Sequence, residues 1–182
     1  MSFGSYREVL PPFIGADVAA VTLATTAKAL FPASNHPLLG GQFFNIIGRK
    51  VRIRAFGKIT TVLTPGNGQF SLYYGSGADA TGVLLVQSAA FALTASQTNI
   101  SWEAEFNVSA RSLGSAGTLF ATGRALFNEA VAAPHLLIPP SAAVVSGACD
   151  LTAASLLSLQ FSRSGSTAET MTVQDLEIEA MN

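Results

Sequence analysis

Glu103 and Glu105 stand two residues apart in the segment SWEAEFNVSAR. On an extended chain both carboxylates project to the same side, the arrangement in which a glycosidase sets its pair of acids. Nothing near them marks a sugar cleft, and a solvated strand face explains the spacing equally well. His36, in NHP, and His135, in PHL, are the two histidines of the chain. Two isolated imidazoles make no metal site, although either can take a proton from a serine that the fold brings beside it. Gly114, Ser115, Ala116 and Gly117 form a cluster that can cradle an anion or turn the chain. No helical pattern follows it, so it lacks the amides and dipole of a phosphate loop. It reads as a hairpin connection in which the glycines take positive φ. The patterns G-x-S-x-G, H-E-x-x-H and G-x-x-x-x-G-K-[ST] do not occur. No catalytic residue, cofactor or metal ligand is expected, and the chain reads as a non-enzyme.

The single cysteine, Cys149, allows no intramolecular disulfide and no paired-cysteine zinc site, and reads as a small buried apolar residue. Two glycosylation sequons, at Asn99 and Asn107, carry little meaning because the N-terminus lacks a charged region followed by an apolar one. Sec export is therefore not expected.

Charged residues make up 12% of the 182-residue chain and apolar residues 49%. The charged share is about half the usual ~25%. The longest charge-free run, Ala80 to Trp102, is broken by Gln87, Ser88, Thr94, Ser96, Gln97, Thr98 and Asn99, which makes it a poor bilayer span. A surface of Ala, Ser, Thr and Gly, partly covered by other chains, is the remaining explanation, so assembly is expected. The net charge of −1 gives no footprint for nucleic acid.

The elements that must position these residues are strands. Eight segments rich in β-branched and aromatic residues are expected, at about Val21 to Leu30, Arg49 to Thr61, Gln69 to Tyr74, Gly82 to Leu93, Asn99 to Arg111, Gly117 to Phe127, Ala154 to Arg163 and Thr170 to Ala180. A short turn of helix fits Pro37 to Ile47 or Asn128 to Ala133. Val51, Ile53 and Ala55 alternate with Lys50, Arg52 and Arg54, and Trp102, Ala104, Phe106 and Val108 alternate with Glu103, Glu105 and Asn107. Both read as strands with one face buried. The last segment changes phase between Val173 and Leu176, which predicts a β-bulge near Gln174 and Asp175.

These features predict an all-β protein, an eight-stranded antiparallel β-sandwich of jelly-roll-like form. Residues 1–20, with Pro11, Pro12 and Gly15, read as an extended N-terminal arm, and residues 21–182 as a single sandwich domain. Phe3, Tyr6, Leu10, Phe13 and Ile14 give the arm apolar side chains with few local partners, so they are expected at an interface. Arg52, Arg54 and Lys58 belong to a basic run that holds half of the ten cations, and Asp175, Glu177 and Glu179 form the densest acidic set. Solvated faces are the plain reading of each. The sharper one is that the two sets pair, within one subunit or across an interface.

The stretch NISWEAEFNVSARSLGSAGTLFATGRALF, with a Trp-Glu strand, an Arg-Ser-x-Gly turn, Gly-Thr and a Gly-Arg strand, resembles a group of small β-sandwich structural proteins of tailed-bacteriophage virions. RKVRIRAFGKITTVLTPG before it and TAETMTVQDLEIEAMN after it resemble the same group, in patches from Arg49 to the C-terminus. The resemblance implies a virion component made in the host cytoplasm: a capsid decoration or cement protein, or a tail or baseplate protein. It implies no catalytic residue. Decoration proteins of this kind commonly form trimers, so the implied partners are copies of the chain (a homotrimer) and the major capsid protein or another virion protein. The arm and the connection around Pro134 to Val145 would make those contacts. A carbohydrate-binding β-sandwich is the alternative from another class, for which Tyr73, Tyr74 and Trp102, if exposed, would be the stacking residues.

Overall fold

The computed structural model describes residues 7–10, 17–36, 38–75, 79–128, 134–143, 145–165 and 168–181. Among these the chain forms thirteen strands: β1 (Arg7–Val9), β2 (Val21–Thr22), β3 (Lys28–Ala29), β4 (Leu38–Leu39), β5 (Lys50–Thr60), β6 (Asn67–Gly75), β7 (Val83–Gln87), β8 (Phe91–Ala92), β9 (Ile100–Ser112), β10 (Thr118–Phe127), β11 (His135–Ile138), β12 (Ser155–Arg163) and β13 (Thr170–Met181). One 3₁₀ turn, Ala33–Asn35, is the sole helical element among the described residues.

The strands form two antiparallel sheets packed as a sandwich. The first runs β1-β13-β5-β9-β10-β11, with β2 also on β13, and the second runs β3-β12-β6-β7, with β4 on β12 and β8 on β6. β5 and β9, where the alternation was read, lie side by side at the centre of the first sheet. Their apolar faces, Val51, Ile53 and Ala55 against Trp102, Ala104, Phe106 and Val108, all point into the core. The second sheet answers with Phe70, Leu72, Leu157, Leu159 and Phe161. Phe70 sits at the centre, with ring centroids 5.7 Å from Trp102, 5.8 Å from Phe127 and 4.8 Å from Phe161, spacings at which aromatic pairs add to their area burial. Gly57 makes room for this group. A Cβ there would lie 2.8 Å from the Trp102 indole and would also collide with the Thr172 carbonyl.

Several sequence expectations are corrected in detail. The strand expected over Val21 to Leu30 is two short strands on different sheets, β2 on β13 and β3 on β12, because the chain crosses from one sheet to the other between them. Gly82 to Leu93 is likewise broken into β7 and β8 at Ser88, whose hydroxyl accepts from the Phe70 amide and donates to the Ala89 carbonyl. No helix occupies Pro37 to Ile47 among the described residues, where β4 is followed by turns. In the alternative helical segment, residues 129–133 lie outside the described ones. The bulge in β13 is present: its register against β5 shifts between Val173 and Asp175.

The turn joining β12 to β13 is held by charge. Arg163 Nε lies 2.9 Å from Glu169 Oε2, with both side chains nearly or fully buried, and the same Nε–H donates to the Leu23 carbonyl at 3.0 Å. The Gly66 amide donates to the other Glu169 oxygen at 3.4 Å. Four chain segments thus meet on one ion pair.

Candidate functional site: the outer faces and open edges

The alternation that buries one face of β5, β9, β10 and β13 puts their polar residues on the outer face of the first sheet, and the register lines them up across it. Glu177, Arg54, Glu105 and Arg124 form one row, and Glu179, Arg52 and Asn107 the next. Arg54 is enclosed by three carboxylates, Glu103 at 3.4 Å, Glu105 at 3.6 Å and Glu177 at 3.6 Å. Arg52 reaches Glu179 at 3.3 Å and Arg124 reaches Glu105 at 3.4 Å. The basic and acidic sets therefore meet within one chain. Lys58 departs from that scheme by pairing with Asp17 at 3.1 Å. Hydrogen bonds from Gln174 and from Lys58 hold the Asp17 carboxyl below its ordinary value. Asp175 is exposed and pairs with no described cation. Glu103 and Glu105 share Arg54 as counter-ion.

His36 does find a serine. Its Nε2 lies 3.0 Å from Ser158 Oγ, and Gln160 Nε2 donates to the same hydroxyl at 3.0 Å. Ser158 is 0% and His36 3% exposed, so the pair is sealed under the chain, and the ring of His36 packs on Phe31 with centroids 4.4 Å apart. Beside it, Ala80 N–H donates to Gln160 Oε1 at 2.7 Å, and Asp79 is clasped by Lys28 Nζ at 2.6 Å and the Ala29 amide at 2.8 Å. This network pins the β6–β7 connection onto β12 and β3. His135 stands apart, on β11. No group of three or more His, Cys, Asp or Glu side chains is placed to hold a metal ion among the described residues. No helix among them is long and apolar enough to cross a membrane.

The stacking residues of the carbohydrate alternative do not form a platform. Trp102 is 2% exposed and Tyr74 is buried with it in the core, where burial pushes the Tyr74 phenol up; Tyr73 is half-buried. Of the arm residues, Phe3, Tyr6, Phe13 and Ile14 lie outside the described residues. Leu10 packs against the core and its amide donates to the Ile178 carbonyl at 2.7 Å. Just before it, β1 pairs with β13 as an edge strand of the first sheet. The cluster at Gly114 to Gly117 is a hairpin turn: Gly114 has φ +94° and its carbonyl accepts from the Gly117 amide.

The long connection after β10 holds features that periodicity did not show. Its β11 pairs with β10 from Gly123 to Leu126, and the chain returns at Val145 and Cys149 to bridge Phe120 and Gly117. The outer edge of β11 pairs with no described strand, and Leu137 there is 76% exposed. Nearby, a groove of ≈ 270 Å³ runs between edge strand β7 and this returning segment, lined by Leu84, Val86, Ala121, Pro139 and Val145 among others. Four residues of alternating exposure ending at a proline are too short a signal to read from sequence, although the apolar HLLI amid small and proline residues is the trace of it.

The chain matches no family model and no curated protein. Solved structures similar to it include the CBM2 module of the evolved Dit of Lactobacillus casei BL23 phage J-1, at 9% identity and TM-score 0.41 over 98% of this chain and 97% of that one. The metal-free lectin I-B4 of Griffonia simplicifolia is similar at 10% identity and TM-score 0.38, over 98% of this chain and 100% of that one. A Bauhinia forficata lectin in complex with GalNAc is similar at 12% identity and TM-score 0.37, over 98% and 99%. At these values no ligand or partner carries over to this chain.

Proposed function

We propose that the chain is a structural protein of a tailed-phage particle that works by protein–protein contact, as a capsid decoration or cement protein assembled into a closed homo-oligomer, a trimer in this reading. The open edge at β11 is the observation that carries it. Sheet edges exposed to water are ordinarily blunted by lysine, inward charge or cover; here the edge instead presents Leu137, with the apolar groove nearby. Meanwhile the cations Arg52, Arg54, Lys58, Arg124, Lys28 and Arg163 are all tied into pairs within the chain. What the β11 edge itself offers a partner is mainly apolar, which suits a permanent contact better than a transient one. The sequence resemblance supplies the setting, and the major capsid protein or another virion protein is the second partner. The same edge would serve a tail or baseplate position equally.

The test is sedimentation equilibrium of the purified full chain beside Leu137→Arg. The wild type should be a closed oligomer at micromolar concentration. The variant, placing a charge at the centre of the contact, should associate at least about tenfold more weakly while keeping the wild-type far-UV circular dichroism. Equal association of the two, or a monomeric wild type, would overturn the reading.

A further inference from the structure

Three loops meet at the end of the sandwich where β5 begins and β9 ends, and backbone hydrogen bonds tie them together. Gly48 N–H donates to the Ala110 carbonyl at 2.9 Å and Ala110 N–H to the Arg49 carbonyl at 3.0 Å. Gln42 N–H donates to the Leu151 carbonyl at 3.0 Å, and Leu151 N–H to the Gly114 carbonyl at 3.1 Å. On this platform Ile46 to Arg49 form a turn closed by the Arg49 amide on the Ile46 carbonyl, with Gly48 at φ +87° in the position that a type II turn reserves for glycine. Such turns normally carry polar residues to water. This one carries Ile46 and Ile47, each 64% exposed, on a turn tied by backbone hydrogen bonds to the strand end at Ala110.

The charges around the tip are as unusual as its apolar side chains. Nine cations have described side chains. Six form ion pairs, and the three that form none with a described residue are Arg49, Lys50 and Arg111, all at this one end. Arg49 and Arg111 are not loose: their guanidinium carbons sit 4.5 Å over the Phe43 ring and 4.4 Å over the Phe120 ring, stacks that hold an arginine head in place without neutralising it. The platform therefore presents an apolar knob among three positive charges that no described carboxylate pairs, two of them held in place by aromatic rings.

We infer that this platform, centred on Ile46 and Ile47, is the docking surface for a different protein of the particle, one that offers an acidic rim around an apolar pocket. The inference rests on the proposed role as a particle protein. Charge complementarity selects the occupant. A second copy of this chain fits poorly: its described carboxylates are tied in pairs except Asp150 and Asp175, which lie on separate elements. Self-assembly would then use the β11 edge and attachment would use this end, two surfaces separable by mutation.

The experiment places a benzoylphenylalanine photocrosslinker at position 47 of the full chain in particle-producing cells, and compares Ile46→Ser/Ile47→Ser and Lys50→Glu/Arg111→Glu with wild type. Both double variants should keep the wild-type melting temperature and oligomer but enter particles at least tenfold less. The crosslink should join the chain to an acidic protein of another sequence. Variants that enter particles as well as wild type overturn the inference and leave the proposed role standing, as does a crosslink to a second copy. Crosslinking to lipid, or salt-sensitive flotation of the purified chain with phosphatidylserine vesicles that the serine variant loses, overturns it in favour of a membrane. Absence of the wild type itself from particles overturns the role and the inference together.

Discussion

Replacing Glu169 by alanine should cost this protein a large part of its stability, and the geometry says why. Arg163 Nε donates its hydrogen to the Leu23 carbonyl, so what Glu169 supplies at 2.9 Å is a counter-charge more than a hydrogen bond. With Glu169 fully buried and the Arg163 side chain 9% exposed, little water stands ready to take over. At an effective dielectric of ~20, unit charges this close attract by about 5 to 6 kcal/mol, and the cost of burying them offsets part of that. Leaving a buried partner uncompensated typically costs ~3–5 kcal/mol, against a whole-domain stability of ~5–15 kcal/mol. Urea unfolding followed by tryptophan fluorescence is the assay, since Trp102 is the one tryptophan and lies in the core. The midpoint of Glu169→Ala should fall sharply with an unchanged slope. Glu169→Gln, which keeps the acceptor for the Gly66 amide but not the charge, should retain more than half of the loss. A glutamine variant within ~0.5 kcal/mol of wild type would show that the site works as a hydrogen-bond acceptor and refute the ion-pair reasoning.

Two further outcomes follow from buried or clasped groups. Burial pushes the Cys149 thiol up, so iodoacetamide at pH 8 should leave it unmodified in the native protein and alkylate it rapidly in urea, as mass spectrometry would show. For Asp79, burial raises the carboxyl pKa, but the Lys28 ammonium and the Ala29 amide outweigh it and hold it below the ordinary value. A depressed carboxylate contributes stability above its unfolded pKa of about 3.9 and loses it as pH falls through the lower folded value. The acid midpoint of unfolding should therefore move to higher pH in Asp79→Asn, while stability at neutral pH also drops.

Strands with one face in water were legible because alternation survives in them. Val51, Ile53 and Ala55, or Trp102 through Val108, declared both the strand and the buried face, and the phase change at Val173 declared the bulge. The charged rows followed from the same pattern, although which acid each cation meets was settled by register: Arg54 takes Glu103 and Glu105 as well as Glu177, and Lys58 turns to Asp17. Short elements were illegible for the opposite reason. Two residues in β2 and two in β3 contain no period at all, so the crossing between sheets between them read as one strand. β11 is four residues ended by Pro139. The Ile46–Ile47 tip carried a visible oddity, an apolar pair ahead of a glycine, but its exposure depends on backbone ties to Ala110 that no local pattern announces.

The proposed role is that of a particle component placed by contact. Immunogold electron microscopy of purified particles, with antibody raised against the folded chain, tests it most directly. Label should decorate the head at repeated positions and vanish from particles made with the Ile46→Ser/Ile47→Ser variant. Label confined to the tail would move the chain to the tail position and refute the decoration reading. Unlabelled particles, with the chain recovered from the lysate alone, would contradict the account.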